Sequence, residues 1–260
     1  MKTNLSKSLV KQLLPWALPI VLIVLWQLLG QFGVISTRML STPSAVLAAG
    51  IHLAQKGTLF DYIGASSKRA FIGFAIGGSI GFALGLINGL IPILEKVTDT
   101  SVQMLRNIPH LSMIPLVILW FGIGEEGKLF LVALGVFFPI YLNTFHGIRS
   151  VDPGLIEMGR VYGLRHFHLF RKVIVPGALP SILVGVRFSL GIMWITLIVA
   201  ETISSSSGIG YMAMNAREFL QMDVVILSIF VYALLGKISD YIAKLLERAW
   251  LQWHPNFLKS

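Results

Sequence analysis

The side chains best suited to chemistry in this sequence are polar residues that interrupt long apolar runs. Arg106, Asn107 and His110 stand in one such run, together with Pro109 and Pro115. Polar side chains inside such runs are costly, so each one is a functional hypothesis by default. Two prolines also break a helix, and broken helices at membrane depth normally line a cavity. Kinked packing with satisfied polar groups explains the same residues equally well.

Two further apolar runs carry polar side chains. Asn143 and His146 add hydrogen-bonding groups to one run. Arg187, Trp194 and Glu201 are spaced seven apart in another, so they share one helix face with modest drift. A cation, an aromatic ring and an anion on one face suit a translocation path or a helix interface. Alternatively, Arg187 extends to the membrane surface while Glu201 caps the outer end of the helix.

Residues 122–128, GIGEEGK, nearly match a phosphate-binding loop. Such a loop needs Ser or Thr after the lysine to hold magnesium, and Leu129 stands there; it also needs a preceding strand. We find no other phosphate cradle, so any ATP and magnesium must bind a partner. The histidines lack the spacing of metal ligands, there is no cysteine, and no catalytic triad is defensible. We therefore expect neither a cofactor on this chain nor an enzyme.

The composition indicates an integral membrane protein. The chain is 55% hydrophobic and only 13% charged, whereas soluble domains have roughly a quarter of their residues charged. The net charge of +9 fits the excess of Lys and Arg in cytoplasmic loops of membrane proteins better than binding to nucleic acid.

Six stretches are long and apolar enough to span a bilayer, which needs about 20 residues each. The sequence thus predicts an all-α, polytopic protein with a single transmembrane domain over residues 1–260. The last of the six stretches has a short apolar run, but the amphipathic tail KISDYIAKLLERAW extends it and can lie along the interface. The segment PSAVLAAGIHLAQ can form a helix on the membrane surface. The predicted spans centre on Trp16–Phe32, Ala70–Leu90, Val102–Phe121, Leu129–Ile148, Ile182–Ile203 and Val224–Gly236.

The N-terminal lysines predict the orientation. Lys2, Lys7 and Lys11 precede a run too long for a signal peptide, and no cleavage site follows it, so we expect an uncleaved first span with a cytoplasmic N-terminus. The cytoplasmic segments are then 1–14, 91–100, 149–180 and the C-terminus. Lys68 and Arg69 on the other side run against this charge bias.

The second predicted span carries a strict glycine repeat. Glycines at every fourth position form a smooth stripe that lets another helix approach closely. We therefore predict tight helix packing along this stripe. Its members are Gly73, Gly77, Gly81, Gly85 and Gly89.

Between the fourth and fifth spans lies a basic, aromatic island, EMGRVYGLRHFHLFRKVIVPGALP. Asp152 and Pro153 are typical of a helix start, and Gly163 of a helix end. A second short helix, RHFHLFRKVIV, is expected before Pro176 and Pro180. The pattern predicts a helix–glycine–helix elbow. By physics alone, a hairpin on anionic lipid or a solvated loop competes evenly with a docking hairpin for another protein.

The island resembles the loop motif of permease subunits in ATP-binding-cassette importers. That motif reads E-A-A, three residues, G, nine residues, I-x-L-P. Glu157 and Gly163 match it, nine residues separate Gly163 from Val173, and the motif closes on Pro176. Met158 and Gly159 replace the two alanines, and valines replace the closing Ile and Leu. Further segments of the chain resemble the branch of this family that imports nitrate, taurine and sulfonates, and the resemblance is strongest to the permeases for aliphatic sulfonates. These segments are 41–46, 105–125, 137–160, 179–201 and 208–219.

This resemblance implies a type I importer permease fold in the bacterial inner membrane. It implies a homodimer with one path between subunits, two ATPase subunits beneath it, and a soluble binding protein outside. Taurine, nitrate and a thiamine-precursor pyrimidine are alternative solutes, and a non-transport membrane scaffold is a less favoured function. The loop would be the coupling helix that contacts the ATPase. The implied coupling residues are Glu157, Gly159, Gly163, Leu164, Arg165, Phe167, Phe170 and Pro176.

Overall fold

The structure is a computed structural model that describes residues 2–253, with side chains from Ala17 onward except those of Asp99 and Ser204. The described part is all-helical, as predicted. Its α-helices are α1 (Lys2–Gln31), α2 (Pro43–Gln55), α3 (Thr58–Leu90), α4 (Pro92–Arg106), α5 (Ile114–Phe121), α6 (Glu125–Arg149), α7 (Pro153–Val161), α8 (His166–Leu169), α9 (Val175–Ser204), α10 (Ile209–Glu218) and α11 (Met222–Trp250).

The glycine stripe lies in the contact between α3 and α6. A methyl group added at Gly81 would lie 2.6 Å from the Phe137 carbonyl oxygen, and one at Gly85 2.6 Å from that of Tyr141. Ordinary side chains do not fit at these distances, so the two backbones touch because the stripe has no Cβ atoms. The contacts advance in the same direction along both helices, so α3 and α6 run parallel.

Parallel α3 and α6 require the chain between them to return across the bundle. That return is made by α4 and α5, which are joined through a bend of 82° between Arg106 and His110, followed by a short 3₁₀ turn at His110–Met113. Of the two prolines predicted to break this span, Pro109 lies in the bend and Pro115 lies in the first turn of α5. Four other helical stretches are long and apolar enough to cross a membrane: Thr58–Leu90, Glu125–Arg149, His166–Ile203 and Met222–Trp250.

The first predicted span falls within α1, whose described apolar part is Ala17–Gln31. The side chain of Trp16 lies outside the described residues. Gln27 of α1 bonds Ser44 at the start of α2, 3.0 Å away. The helix predicted from PSAVLAAGIHLAQ is α2 itself, and Thr42 caps it by accepting from the Ala45 N–H.

The helix of the fifth predicted span is longer than expected. We predicted a separate helix before Pro176, but the chain is helical without interruption from His166 to Ile203. Residues Phe170–Ile174 form a widened π-helical turn. Pro176 lacks an N–H and its ring crowds the carbonyl four residues earlier, so a widened turn there accommodates it without ending the helix.

The amphipathic tail extends the sixth predicted span, as expected. Met222–Trp250 forms one helix, α11, which includes KISDYIAKLLERAW. The principal core lies where α11 packs with α3, α6, α9 and α10. Its buried members include Ala70, Val132, Val136, Leu190, Met193, Leu197, Ile209, Met212 and Tyr232.

Candidate functional site

The elbow begins with the helix start predicted from the sequence. The Asp152 carboxylate accepts a hydrogen bond of 2.8 Å from the Gly154 N–H. Pro153 occupies the first turn, where a missing N–H costs nothing. An acceptor at this position satisfies one of the free N–H groups at a helix start. The first arm of the elbow, α7, is thus fixed by local sequence alone.

The turn between the two arms depends on Gly163. This residue has φ = 78°, a left-handed conformation that other residues adopt at a cost. The Gly163 N–H donates to the Arg160 carbonyl at 2.9 Å, and the Leu164 N–H to the Gly159 carbonyl at 3.0 Å. This pair of bonds is the Schellman motif that ends a helix.

Gly159 makes the second close approach in the elbow. A methyl group added there would lie 2.7 Å from Leu169 and 3.5 Å from Val173. Leu169 is buried, so the arms α7 and α8 close directly on one another. Gly159, which stands at the second alanine position of the loop motif, therefore allows the two arms to pack closely.

Large apolar and aromatic side chains are exposed on the elbow, beside its exposed basic residues. Val161 is 85% exposed, Tyr162 79%, Phe167 69% and Met158 51%. Such a patch on a protruding hairpin indicates an interaction surface. A groove of about 710 Å³ crosses it, with Trp253 from the chain end on its edge. Of the other predicted coupling residues, Glu157 and Arg165 are exposed, while Leu164, Phe170 and Pro176 are half-buried.

The base of the elbow is anchored to the bundle. Val151 and Ala178 are buried against Ile148, the last turn of α6. A methyl group added at Gly147 would lie 2.9 Å from the Ala178 carbonyl, so α6 and α9 cross closely at this end. A force applied to the elbow therefore acts directly on these two helices.

The residues predicted to line a path fall into several environments. At the bend, Arg106 and Asn107 are exposed and His110 is half-buried. The His110 Nε2 lies 3.0 Å from the Thr196 Oγ1 on α9. The bend thus presents polar groups outward while one side chain contacts the bundle.

On α6, Asn143 and His146 differ in exposure. Asn143 donates to the Pro139 carbonyl at 2.8 Å. A methyl group added at Gly185 on α9 would lie 2.6 Å from the Asn143 Cβ, so the two helices are in close contact there. Asn143 therefore serves the α6–α9 contact. His146 is exposed, with its ring 5.1 Å from that of Phe145.

Arg187 links α9 to α11. Its Nε donates to Asp240 at 2.8 Å, and its Nη1 lies 3.6 Å from a Glu247 oxygen. The side chain remains 40% exposed. A partly exposed charge in a spanning helix normally faces a wet cavity or another subunit. A path role for Arg187 stays a prediction.

Trp194 and Glu201 lie elsewhere, inside the subunit. Trp194 is 4% exposed and donates to Ser239 at 2.8 Å. Glu201 is 1% exposed. In this conformation neither side chain is on a surface that lines a path, so the shared helix face predicted with Arg187 is an internal packing face at these two positions.

Glu201 is the centre of a buried polar cluster at the end of the bundle farthest from the elbow. Ser66 and Tyr232 donate to its carboxylate, at 2.7 Å and 2.9 Å. The Gly210 N–H donates at 2.9 Å, and Arg69 Nη1 at 2.8 Å. A buried carboxylate is tolerated only with such partners. We call this cluster, with the Arg69 partners described next, the Glu201 network.

Arg69 extends the network and is fully occupied. Its Nε and Nη2 donate to Glu125, its Nη1 to Glu201 and the Ser207 carbonyl, and its Nη2 also to the Ser207 hydroxyl. These contacts use all five guanidinium N–H groups. Lys128, 3% exposed, donates to Glu125 at 2.9 Å. Arg69 therefore has no donor left for a solute.

The network explains two features of the sequence. When Lys and Arg residues are counted on each side of the membrane to predict orientation, Arg69 and Lys128 count for the outer side. Both are in fact buried and form ion pairs. In GIGEEGK, Lys128 is held by Glu125 on its own helix, and α5 precedes the glycines where a phosphate loop would have a strand. Sequence reasoning missed Ser66, Glu125 and Thr196, because no local pattern marks a contact between distant helices.

The bundle and its elbow have the architecture of a helical membrane protein with an exposed hairpin. Residues 75–252 match the family of binding-protein-dependent transport system inner membrane components. The chain belongs to this family. It is 59% identical over 99% of its length to a putative aliphatic sulfonates transport permease protein, SsuC of Escherichia coli (strain K12), and covers 97% of that protein.

A more distant relative and a solved structure agree with this assignment. The taurine transport system permease protein TauC of Escherichia coli (strain K12) is 33% identical over 90% of this chain and 87% of its own. An amino acid ABC transporter of known structure superposes on 76% of this chain and 96% of its own, with a TM-score of 0.63 and 19% identity. That superposition supports the fold.

Proposed function

We propose that this chain is the permease subunit of an ATP-driven importer of aliphatic sulfonates. The observation that carries the proposal is the 59% identity to an aliphatic sulfonate permease over nearly the whole chain. The elbow at 152–176 adds physical support, because it offers an exposed apolar surface on a hairpin that is anchored to α6 and α9. The chain itself carries out no covalent step.

The proposed assembly is a homodimer with two ATPase subunits and a soluble binding protein. The chain crosses the inner membrane six times, with α1 as the first crossing and both termini in the cytoplasm. The elbow then faces the cytoplasm, where ATP is available to a partner. ATP and magnesium bind the ATPase subunits and not this chain.

In the proposed mechanism, ATP draws the ATPase subunits together and the elbows follow. Because α8 continues through the widened turn into α9, the elbow and the spanning helix move as one rod. The residues that would meet an anionic sulfonate are Arg106, Asn107 and His110 at the bend, with Arg187 and His146 as further candidates. Arg69 is excluded, since its donors are all in use.

A second solute, taurine, is favoured by a specific observation. The taurine permease relative covers nine-tenths of the chain at 33% identity, and taurine is itself a sulfonate with an added amine. Nitrate and a thiamine-precursor pyrimidine remain the other candidates.

Uptake of labelled ethanesulfonate, taurine and nitrate, measured in the native cell with and without this gene, tests the proposal. Loss of ethanesulfonate uptake alone supports the sulfonate assignment. Loss of another solute's uptake with ethanesulfonate unchanged moves the substrate to that solute. No change in any of the three contradicts the sulfonate, taurine and nitrate assignments together.

A further inference from the structure

The bend between α4 and α5 is joined to α9 by a side-chain contact that the family motif does not include. Thr196 is completely buried, and its Oγ1 lies 3.0 Å from His110 Nε2. A threonine hydroxyl can donate or accept, so the contact is satisfied with either histidine tautomer. It ties the first residue of the 3₁₀ turn to the middle of a spanning helix.

A glycine on α6 makes room for this contact. A methyl group added at Gly135 would lie 2.9 Å from the Thr196 oxygen and 3.3 Å from His110 Nε2. Three elements, α6, α9 and the bend, therefore meet at one polar point. The surroundings are otherwise apolar, since Ile114, Val117 and Ala200 are buried nearby. A hydrogen bond in such surroundings is stronger than one in water.

Thr196 is rigidly connected to the elbow. The helix is continuous from His166 to Ile203, so Thr196 stands 30 residues, or about 45 Å along the axis, from His166 at the start of the elbow's second arm. Ser181 and Ser189 donate to α6 carbonyls at 2.8 Å and 3.2 Å, which keeps α6 beside α9 over this length. A displacement of the elbow therefore reaches Thr196 and Gly135 together.

We propose that the His110–Thr196 contact is the latch through which movement of the elbow and α9 repositions the bend that carries Arg106 and Asn107. Thr196 is then a positioning residue, which acts on the exposed polar groups of the path through His110 and the bend. This inference rests on the proposed function, because it assigns a task to the elbow's motion. It also explains why a break at membrane depth carries a histidine that points at a neighbouring helix.

The first test compares three threonine variants in the complete transporter, reconstituted with its ATPase and binding protein. Thr196→Val removes the hydroxyl at nearly constant volume, Thr196→Ser keeps it, and Thr202→Val is the control. Thr202 lies on the same helix, but its hydroxyl donates to the backbone of its own turn, at Val199. The measured quantity is ethanesulfonate transported per ATP hydrolysed.

We expect Thr196→Val to lower this ratio about tenfold, as a coupling free energy of ordinary size would. Thr196→Ser and Thr202→Val should stay near the wild-type ratio. His110→Leu should match Thr196→Val, and the double variant should be no worse than either, because both break the same contact. An unchanged ratio in Thr196→Val or in His110→Leu overturns the latch. If one of the two does not assemble with the ATPase, the other decides.

A second readout needs no solute, so it separates failure of the latch from failure of the proposed function. The chain has no cysteine, and Met104→Cys places one thiol on α4, at a position 68% exposed and two residues before Arg106. Trapping the ATPase with ATP and vanadate should change the maleimide reaction rate of this thiol, and Thr196→Val should abolish the change. An equal change in both backgrounds overturns the latch. A wild type that transports no ethanesulfonate but shows the latch-dependent change overturns only the sulfonate assignment.

Discussion

The elbow and the Glu201 network are built by opposite means. The hydrogen bonds that shape the elbow join residues that lie within six positions of each other along the chain. They run from the Asp152 cap to the bonds around Gly163. The network joins Ser66 to Glu201 across 135 positions and Arg69 to Ser207 across 138. The elbow exposes apolar and basic side chains to solvent, whereas the network is centred on the buried charges of Arg69 and Glu201.

This difference indicates how the two ends of the bundle are used. The network joins α3, α6, α9 and the loop before α10. If these elements separated, the charged groups of the network would have few other hydrogen-bond partners, so separation is costly. The elbow is stiff within itself but meets solvent over most of its surface. The structure thus places its most rigid polar connections far from the surface that we assign to the ATPase.

The strongest test of this contrast is removal of one charge from the network. Arg69→Met leaves the Glu201 carboxylate without its cation, and breaking a buried pair this way costs about 3–5 kcal/mol. We expect a large loss of stability, measured by reversible unfolding in mixed detergent. Lys68→Met, the adjacent exposed position, is the control and should change stability little.

The double variant Arg69→Met/Glu201→Gln sharpens this test. Neutralising the stranded carboxylate should recover part of the lost stability, because the unpaired charge accounts for much of the cost. If the loss of stability in the double variant equals the sum of the losses in the two single variants, the network acts by shape and not by charge.

The glycine stripe offers the next largest effect. Gly81→Ala pushes a methyl group into the Phe137 carbonyl and should cost about 1–3 kcal/mol by overpacking. Gly64→Ala is the matched control on the same helix, with nothing within 4 Å, and should be neutral or stabilising by up to about 1 kcal/mol. The same unfolding assay compares the two. Equal effects would show that α3 and α6 do not pack as described.

Gly163→Ala tests the elbow turn. The left-handed backbone costs another residue about 1–2 kcal/mol, and no neighbour obstructs the added methyl group. We expect transport per ATP to fall severalfold while unfolding of the bundle is unchanged. Gly191→Ala, on α9 with nothing within 4 Å, is the control. Full coupling in Gly163→Ala would contradict a coupling role for the turn.

The smallest effect is expected at the start of the elbow. Asp152→Ala removes the cap of α7 and should cost about 1 kcal/mol locally. Hydrogen exchange of residues 153–161 should quicken, with little change elsewhere. Asp152→Asn keeps a capping acceptor and should restore slow exchange, so fast exchange in that variant would argue against the cap.

Local rules explain which parts of the fold were predictable. The α2 helix, the proline break at His110 and the Asp152 and Gly163 ends each depend on a few neighbouring residues. The predicted helix break before Pro176 was wrong, because a widened turn accommodates the proline. The tail KISDYIAKLLERAW was expected to extend the sixth predicted span, and it does, since it is part of α11 and packs against α9 through Arg187 and Asp240.

The sequence by itself determined the class of protein, the elbow and the glycine stripe, since hydropathy, capping and spacing are properties of neighbouring residues. Only the tertiary structure decided that Glu201 and Trp194 are internal, that Arg69 has no donor free for a solute, and that Thr196 reaches His110. Those outcomes depend on which helices lie side by side. Electrostatics and hydrogen bonding act over a few ångströms of space, whatever the separation along the chain.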